Sequence, residues 1–496
     1  MKKTKINLIP DYINTTPDYY CTWQTQLYAT CDGKPTGQRG AINENSLFTE
    51  EKPYGWAYFY ERVRKDLFIV LDDGWDVPMI DNNEYYGSLI LNDEKFPAFT
   101  NNSKTNTEAL KMLSDKIKSL GWKGLGVWVC CQECEKYSDN IDREEYWIRK
   151  LKEANDAEIG YWKVDWGKNS YDIEFRKMLT RLGKEYAPDL TIEHAVNSDI
   201  IPYSDTFRTY DVPAIMSIPM TIEKLKNCMS VDKAKGDFSG LINCEDEVYI
   251  AAAGGFAMGI MRHPYSGEFT NGHADMSFPK IHRNLKTKMY EVVRAVNWHK
   301  VAPAFGIDRK NINIDENELQ DNWHIINKDE EIEAWWFDMP AFQKDLKDDV
   351  ITKSAPARIS RNCDLPNVIA DESGNIPFVI SSKNPNGVFS VVTLGRTLGR
   401  KYEIPKCNVY INTEESTTVA AFGEYKNLII ETSYSEINSV LMQDLADYIA
   451  YDVTESVVLE KNRIVIPGTV IAEIGTISQP PEDTSEPGVI ISLDVK

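Results

Sequence analysis

From residue 20 to about 300 the chain alternates between two patterns. Short apolar runs that end in polar residues are "YCTWQTQ" (20–26), "LFIVLDDGW" (67–75), "LGVWVCCQE" (125–133), "YWKVDWG" (161–167), "TIEHAV" (191–196) and "FRTYDVPAIMSI" (207–218). Between them lie stretches with helical spacing. Leu110, Leu113, Ile117 and Leu120 recur at 3, 4 and 3 residues, one face of a helix. Ile173, Met178 and Leu182 form a similar set, as do Leu285, Met289, Val292 and Val296. Strands alternating with helices predict a parallel sheet. About eight such units over some 250–280 residues predict a (β/α)8 barrel rather than an open sheet. No glycine fingerprint follows the first strand, which argues against a dinucleotide-binding fold. After about 305 the helical spacing largely disappears. Runs such as "PFVISS", "GVFSVVTLG", "NLIIETS" and "RIVIPGTVIAEIG" follow, separated by turn signals such as "NPNG". The expected organisation is a barrel over 1–305 and an all-β region of sandwich type over 306–496, with room for two small β domains.

Length agrees with this division, because 496 residues exceed one compact core. The net charge of −21 disfavours nucleic acid and anionic membranes as partners. The N-terminus carries lysines but no apolar stretch of signal-peptide length, so a cytoplasmic protein is expected. The nine cysteines form no secreted-domain framework, and "CCQEC" (Cys130, Cys131, Cys134) lacks companion ligands at zinc spacing. Reduced structural thiols, no metal and no cofactor are expected. The 12 Trp and 25 Tyr suit the stacking of flat apolar faces, sugar rings included, as well as a large core.

In a barrel the chemistry sits where strands end and loops begin. The residues closing the apolar runs are Trp23; Asp72, Asp73 and Trp75; Trp128; Lys163 and Asp165; Glu193; and Arg208 and Asp211. A single acid such as Asp165 in "YWKVDWGKN" can simply end a strand and cap the next helix. Five acids at successive strand ends are harder to explain as caps. Like charges desolvated together cost several kcal/mol unless cations or ligand hydroxyls compensate. A site for an uncharged polyhydroxylated ligand does that, with tryptophan covering the apolar ring face. Glycoside cleavage needs one ionised and one protonated carboxyl. Lys163 projects from the same strand face as Asp165 and favours its ionised form. Asp211, beside Tyr210 and "VPAIM", suits the acid, although Arg208 pulls its pKa the other way. Asp205 competes for that role. The acids of "NCEDEVY" (Glu245, Asp246, Glu247) read as a charged helix N-terminus, and His194 and His263 as structural.

These motifs resemble the clan of retaining α-glycosidases that holds the α-galactosidases (glycoside hydrolase families 27 and 36, related to family 31). "LDDGW" is similar to the clan's paired aspartates after the second strand. "KVD" is similar to its nucleophile strand, the fourth, and "RTYD" to the arginine and acid/base aspartate after the sixth. Trp23 matches the tryptophan closing the first strand. The resemblance implies Asp165 as nucleophile and Asp211 as general acid/base. It implies that Asp72 and Asp73 hold the 4- and 6-hydroxyls of galactose, that Lys163 binds the 3- and 4-hydroxyls, and that Glu193 and Arg208 face the 2-hydroxyl. Trp75 and Trp128 join the substrate-binding set. "CTWQTQ" and "IEHAVN" depart from the clan, which leaves the sugar open: a β-L-arabinopyranoside, α-N-acetylgalactosaminide or α-glucoside is an alternative. So is a transglycosidase, or, in another class, a non-catalytic sugar-binding barrel.

Overall fold

The computed structural model describes residues 1–23, 25–26, 37–51, 54–79, 83–138, 141–209, 217–261, 288–324, 350–370, 372–399 and 401–496. Its first half is a parallel eight-stranded sheet of β1 (Tyr19–Cys21), β2 (Phe68–Leu71), β3 (Gly124–Val129), β4 (Ile159–Val164), β5 (Thr191–His194), β6 (Thr206–Arg208), β7 (Leu241–Asn243) and β8 (Gly259–Ile260). From β1 to β7 each strand pairs with the next in chain order, and β8 pairs with β1. The ring closes at β7, where Asn243 bridges Ala257 just before β8. The predicted (β/α)8 barrel is the observed one. All six apolar runs read from the sequence contain a strand. The last two strands both come from "GLINCEDEVYIAAAGGFAMGIM", a segment whose alanines and glycines gave no alternating pattern to read.

The linking helices begin on caps that the sequence supplies. Helix α1 (Asn106–Ser119) starts at Thr105, α2 (Arg143–Asp156) at Asp142 and α3 (Ile173–Tyr186) at Asp172, each side chain accepting a backbone N–H of the first turn. Asp172, and not Asp165, is therefore the cap after β4. The Asp165 N–H instead donates to the Val129 carbonyl at 3.0 Å, continuing the strand. Helix α4 (Ser217–Met229) follows β6, α5 (Val248–Gly254) links β7 to β8, and α6 (Met289–Val301) follows β8. Between β5 and β6 the chain makes only a 3-10 turn, Ser198–Tyr203.

Inside the barrel, side chains two apart on each strand stack in layers. Tyr19, Val70 and Tyr161 fill the middle as a core distinct from the large one between barrel and helices. Glycines make room for them: a Cβ on Gly126 would lie 2.8 Å from Val70 and Tyr161 atoms, and one on Gly259 would lie 2.7 Å from the Tyr19 ring.

The C-terminal half contains a nine-stranded and a five-stranded sheet whose facing apolar residues form one core, with Val391, Val419 and Ile491 opposite Val409, Leu428 and Ile464. This is the expected sandwich; a four-stranded sheet is built beside it. Two expectations need correction. "RIVIPGTVIAEIG" is a strand only over Arg463–Pro467; Gly468–Gly475 is a helix. Lys2–Lys3 pair with Tyr451–Asp452, so the N-terminus joins the nine-stranded sheet and not the barrel. The other face of that sheet carries Ile380, Val392 and Phe422 into the barrel's core. There α5 is the contact, with Tyr249 against the Phe422 ring at 4.7 Å. Buried Arg361 donates to the carbonyls of Gly254 and Gly255 at 2.7 and 2.9 Å, and to those of Phe305 and Gly306 at 2.9 Å each. The orphan carbonyls at the end of α5 thus find their donor in the sandwich.

Candidate active site

The C-terminal ends of the strands carry a buried network of alternating charge. Lys163 on β4 and Asp72 after β2 pair at 2.6 Å, both nearly inaccessible. The thiol of Cys21 donates to the same Asp72 oxygen at 2.8 Å. The Asp73 N–H donates to Asp72 Oδ1 at 2.8 Å, so three donors grip the carboxylate, and the Asp72 backbone N–H donates to Thr22 Oγ1 at 2.9 Å.

Asp165, two residues beyond Lys163, is 8% exposed. Its Oδ1 pairs with the Arg208 guanidinium and its Oδ2 accepts from Trp128 Nε1 at 3.0 Å. Arg176 of α3 donates to its backbone carbonyl at 2.8 Å and so fixes the strand end. Burial alone would raise the Asp165 pKa. The charges of Arg208, Lys163 and Arg176 and the Trp128 hydrogen bond outweigh it and hold this carboxyl below the usual carboxylate range. Arg208 is thus the counterion of Asp165. It also lies 3.6 Å from Glu193 and 3.6 Å from Glu245.

Glu193 is turned inward. Its oxygens accept from Tyr19 at 3.1 Å, Tyr161 at 2.7 Å and Asn243 at 2.7 Å, with no accessible surface. The sequence led to the expectation that it meets a ligand hydroxyl; its hydrogen bonds are instead taken up by the barrel's middle layer. Burial raises its pKa, against the pull of Arg208, Tyr161 and Asn243. Its neighbour His194 points outward to Arg176 and Thr180, where burial and Arg176 keep it neutral.

The tryptophans divide. Trp75 is fully buried and donates to the Trp128 carbonyl at 2.9 Å, so it supports the site from behind. Trp128 is fully buried and serves Asp165. Trp23 is partly exposed and packs on the barrel interior. Trp166 and Tyr86 were not singled out from the sequence. Their rings sit 5.0 Å apart, and Trp166 lies 5.4 Å from Trp128. A cavity of about 620 Å³ opens beside Trp166 and Arg208, with Tyr171, Val196, Lys224 and Asn227 on its walls. Tyr171 is 77% exposed.

Asp73 is buried, with Oδ2 on Arg39 Nε at 2.9 Å. Asp205 is removed from the site: it precedes β6, at the opposite end of the barrel, where it accepts from the Ile192 N–H at 3.1 Å and pairs with Lys184 at 2.5 Å. Asp211, with Tyr210 and His263, lies outside the described residues.

Sequence reasoning also passed over Tyr19 and Tyr161 and misread Glu245. Counting back by two from Cys21 and Lys163 would have reached the tyrosines. Glu245 is no solvated helix start: it is 1% exposed beside Arg208, and α5 begins only at Val248. Cys130, Cys131 and Cys134 are buried free thiols, with burial pushing Cys131 up to about 12. Among the described residues no cluster suits a metal ion, and no helix is long and apolar enough to cross a membrane.

No family model matches the sequence, and no curated protein is similar to it. Solved structures similar to this chain include glycosidases of families 27 and 36. One is a family 27 β-L-arabinopyranosidase from Geobacillus stearothermophilus, at 9% identity over 97% of each chain and a TM-score of 0.36. Another is a family 36 α-galactosidase from the same organism, at 14% identity and a TM-score of 0.32; the match covers 50% of this chain and 39% of that one. An α-amylase from Anoxybacillus matches at 10% identity over 97% of this chain and 98% of the other, with a TM-score of 0.41.

Proposed function

We propose that the chain is a retaining glycoside hydrolase of the α-galactosidase type that releases a terminal α-D-galactosyl unit by double displacement. The observation that carries this reading is Asp165: a nearly buried carboxyl held ionised by Arg208 and Trp128, two residues from Lys163 of the Lys163–Asp72 pair, at the C-terminal end of a barrel. A carboxylate in that state attacks an anomeric carbon without first losing a proton. The Asp72–Lys163 pair offers an acceptor and donors to adjacent sugar hydroxyls. Asp211 is assigned the general acid on the sequence motif "RTYD": it protonates the leaving oxygen and then deprotonates the water that frees the sugar. The substrate is a neutral carbohydrate, and no nucleic acid, membrane or cofactor takes part. The setting is the cytoplasm.

The test is a panel of nitrophenyl glycosides followed by azide rescue. α-D-Galactosides should be turned over roughly ten- to hundredfold more efficiently than α-D-glucosides. Asp165→Ala with azide should give a β-glycosyl azide, and Asp211→Ala the α-glycosyl azide. Exchanged products would exchange the roles. Turnover unaffected by either change would place the chemistry elsewhere.

A further inference from the structure

Arg39 is built into the site although no motif points to it. Its backbone is pinned: Lys95, itself 1% exposed, donates to the Arg39 carbonyl at 3.0 Å and to the Gly74 carbonyl at 2.5 Å. Gly74, with φ of +116°, is the position where that backbone comes close, since a Cβ there would lie 2.6 Å from the Arg39 oxygen. The guanidinium lies 5.1 Å from the Tyr86 ring centre and 5.9 Å from that of Trp166, and bonds Asp73 Oδ2 at 2.9 Å. Asp73 is 2% exposed, and its other oxygen, Oδ1, has no hydrogen-bond partner among the described residues. A buried acceptor left open beside a fixed cation is a place for a donor from outside the protein.

We infer that Arg39 sets how strictly the site demands a hydroxyl on the sixth carbon of the sugar, by fixing Asp73 as a one-sided acceptor with Oδ1 turned to that hydroxyl. This rests on the α-galactosidase-type reading, in which Asp73 serves the C6 arm. Arg39 is a positioning residue that acts through Asp73. Among the described residues the groups facing Asp73 include Arg39, Asp72, Asp76 and the Cys130 thiol. Burial pushes the Asp73 carboxyl up to about 7, against the pull of Arg39 and with Asp72 and Asp76 adding to the rise. Protonation turns an acceptor of charged hydrogen bonds into a weaker neutral one. The preference for a sugar with a C6 hydroxyl over the same ring without it therefore falls with pH through that region. Without Arg39 the fall comes at higher pH.

The experiment compares kcat/KM for nitrophenyl α-D-galactopyranoside and nitrophenyl β-L-arabinopyranoside, which keeps the ring hydroxyls and lacks the C6 arm. It uses wild type, Arg39→Lys and Arg39→Ala across the range around pH 7. Arg39→Ala should cut the galactoside value by roughly ten- to hundredfold and the arabinopyranoside value several-fold less. The midpoint of the preference should move up in pH, with Arg39→Lys between the two. Equal losses on both sugars, or an unmoved midpoint, overturn the inference. Calorimetric binding of free D-galactose and L-arabinose reads the same preference without turnover. A wild type that hydrolyses neither glycoside defeats the proposed function. Binding then still decides: a galactose preference abolished in Arg39→Ala upholds the role of Arg39, and its absence defeats that as well.

Discussion

Both ends of the barrel bury charge, and they do so differently. At the N-terminal end Asp18 meets His299 at 2.6 Å, Asn14 at 2.7 Å and the Met258 N–H at 2.9 Å. Asp66 takes the Asn14 N–H and Lys300, each at 2.8 Å. Lys123 donates to the carbonyls of Asn14 and Thr16. Each oxygen of these two carboxylates has a hydrogen-bond or ion-pair partner, and two of the four are held by backbone N–H groups that cannot swing away. At the C-terminal end the partners are mostly side chains from neighbouring strands: Arg208 for Asp165, Lys163 for Asp72, Arg39 for Asp73. Asp73 keeps an open oxygen. Burial and charge alone do not separate a structural network from a reactive one. The kind of partner helps to, because a carboxylate paired with side chains can exchange them for a ligand, whereas one gripped by the backbone of other strands cannot.

The largest expected effect is on chemistry at the open end. Asp165→Asn should lower kcat/KM by on the order of 10⁴-fold or more while circular dichroism stays unchanged. A variant that keeps a tenth of wild-type turnover would erase the contrast. The closed end should answer in stability. Asp18→Ala strands a buried network and should cost about 3–5 kcal/mol in urea unfolding, with activity per folded molecule retained. A loss of turnover without loss of stability would mean that this end is functional too.

Next comes a pH shift. Arg208 is the largest influence lowering the Asp165 pKa against burial, so Arg208→Lys, with its compact charge, should let that pKa rise. The acidic limb of kcat/KM should move to higher pH. In wild type the depressed pKa also adds stability, present above the unfolded carboxylate's value and lost as pH falls through the folded one. The variant should lose part of it. An unmoved limb would give the control of Asp165 to Lys163 or Trp128. The smallest effect belongs to charges on the outside of the barrel. The exposed set of Lys118, Lys111 and Glu158 is water-screened, and Glu158→Gln should leave both melting temperature and turnover unchanged within error.

The barrel was legible because its strands are apolar runs closed by polar residues, a pattern that survives without side-chain contacts. The same period of two placed Lys163 and Asp165 on one face. It could not tell which way Glu193 turns, since that depends on Tyr19 and Tyr161 filling the ring from other strands. It preferred Asp211 to Asp205 but could not tell that Asp205 lies at the other end of the barrel, as a carboxylate at either end of a short strand looks alike in sequence. Glu245 was hidden by a run of acids that resembles a helix start. Arg39 was hidden by distance along the chain, since its partner Asp73 lies 34 residues away and the Arg39 backbone is held in place by Lys95, which also bonds the Gly74 carbonyl. The last two strands escaped because they are three and two residues long and the segment between them is rich in alanine and glycine.

Helix α5 has a consequence for cooperativity. It connects the two strands that close the ring, and its last carbonyls are satisfied by Arg361, while Ser382 and Ser390 both donate to Ala253. All three donors come from the sandwich. A fragment ending near 305 would therefore close its final strand pair with bare carbonyls beside an uncovered apolar face, and each such group lacking a partner costs about 1–3 kcal/mol when buried. The compositional border near residue 305 is thus crossed by hydrogen bonds that the barrel needs. Ring closure and docking of the second domain should therefore be coupled, and a single calorimetric transition for the whole chain is the expected outcome.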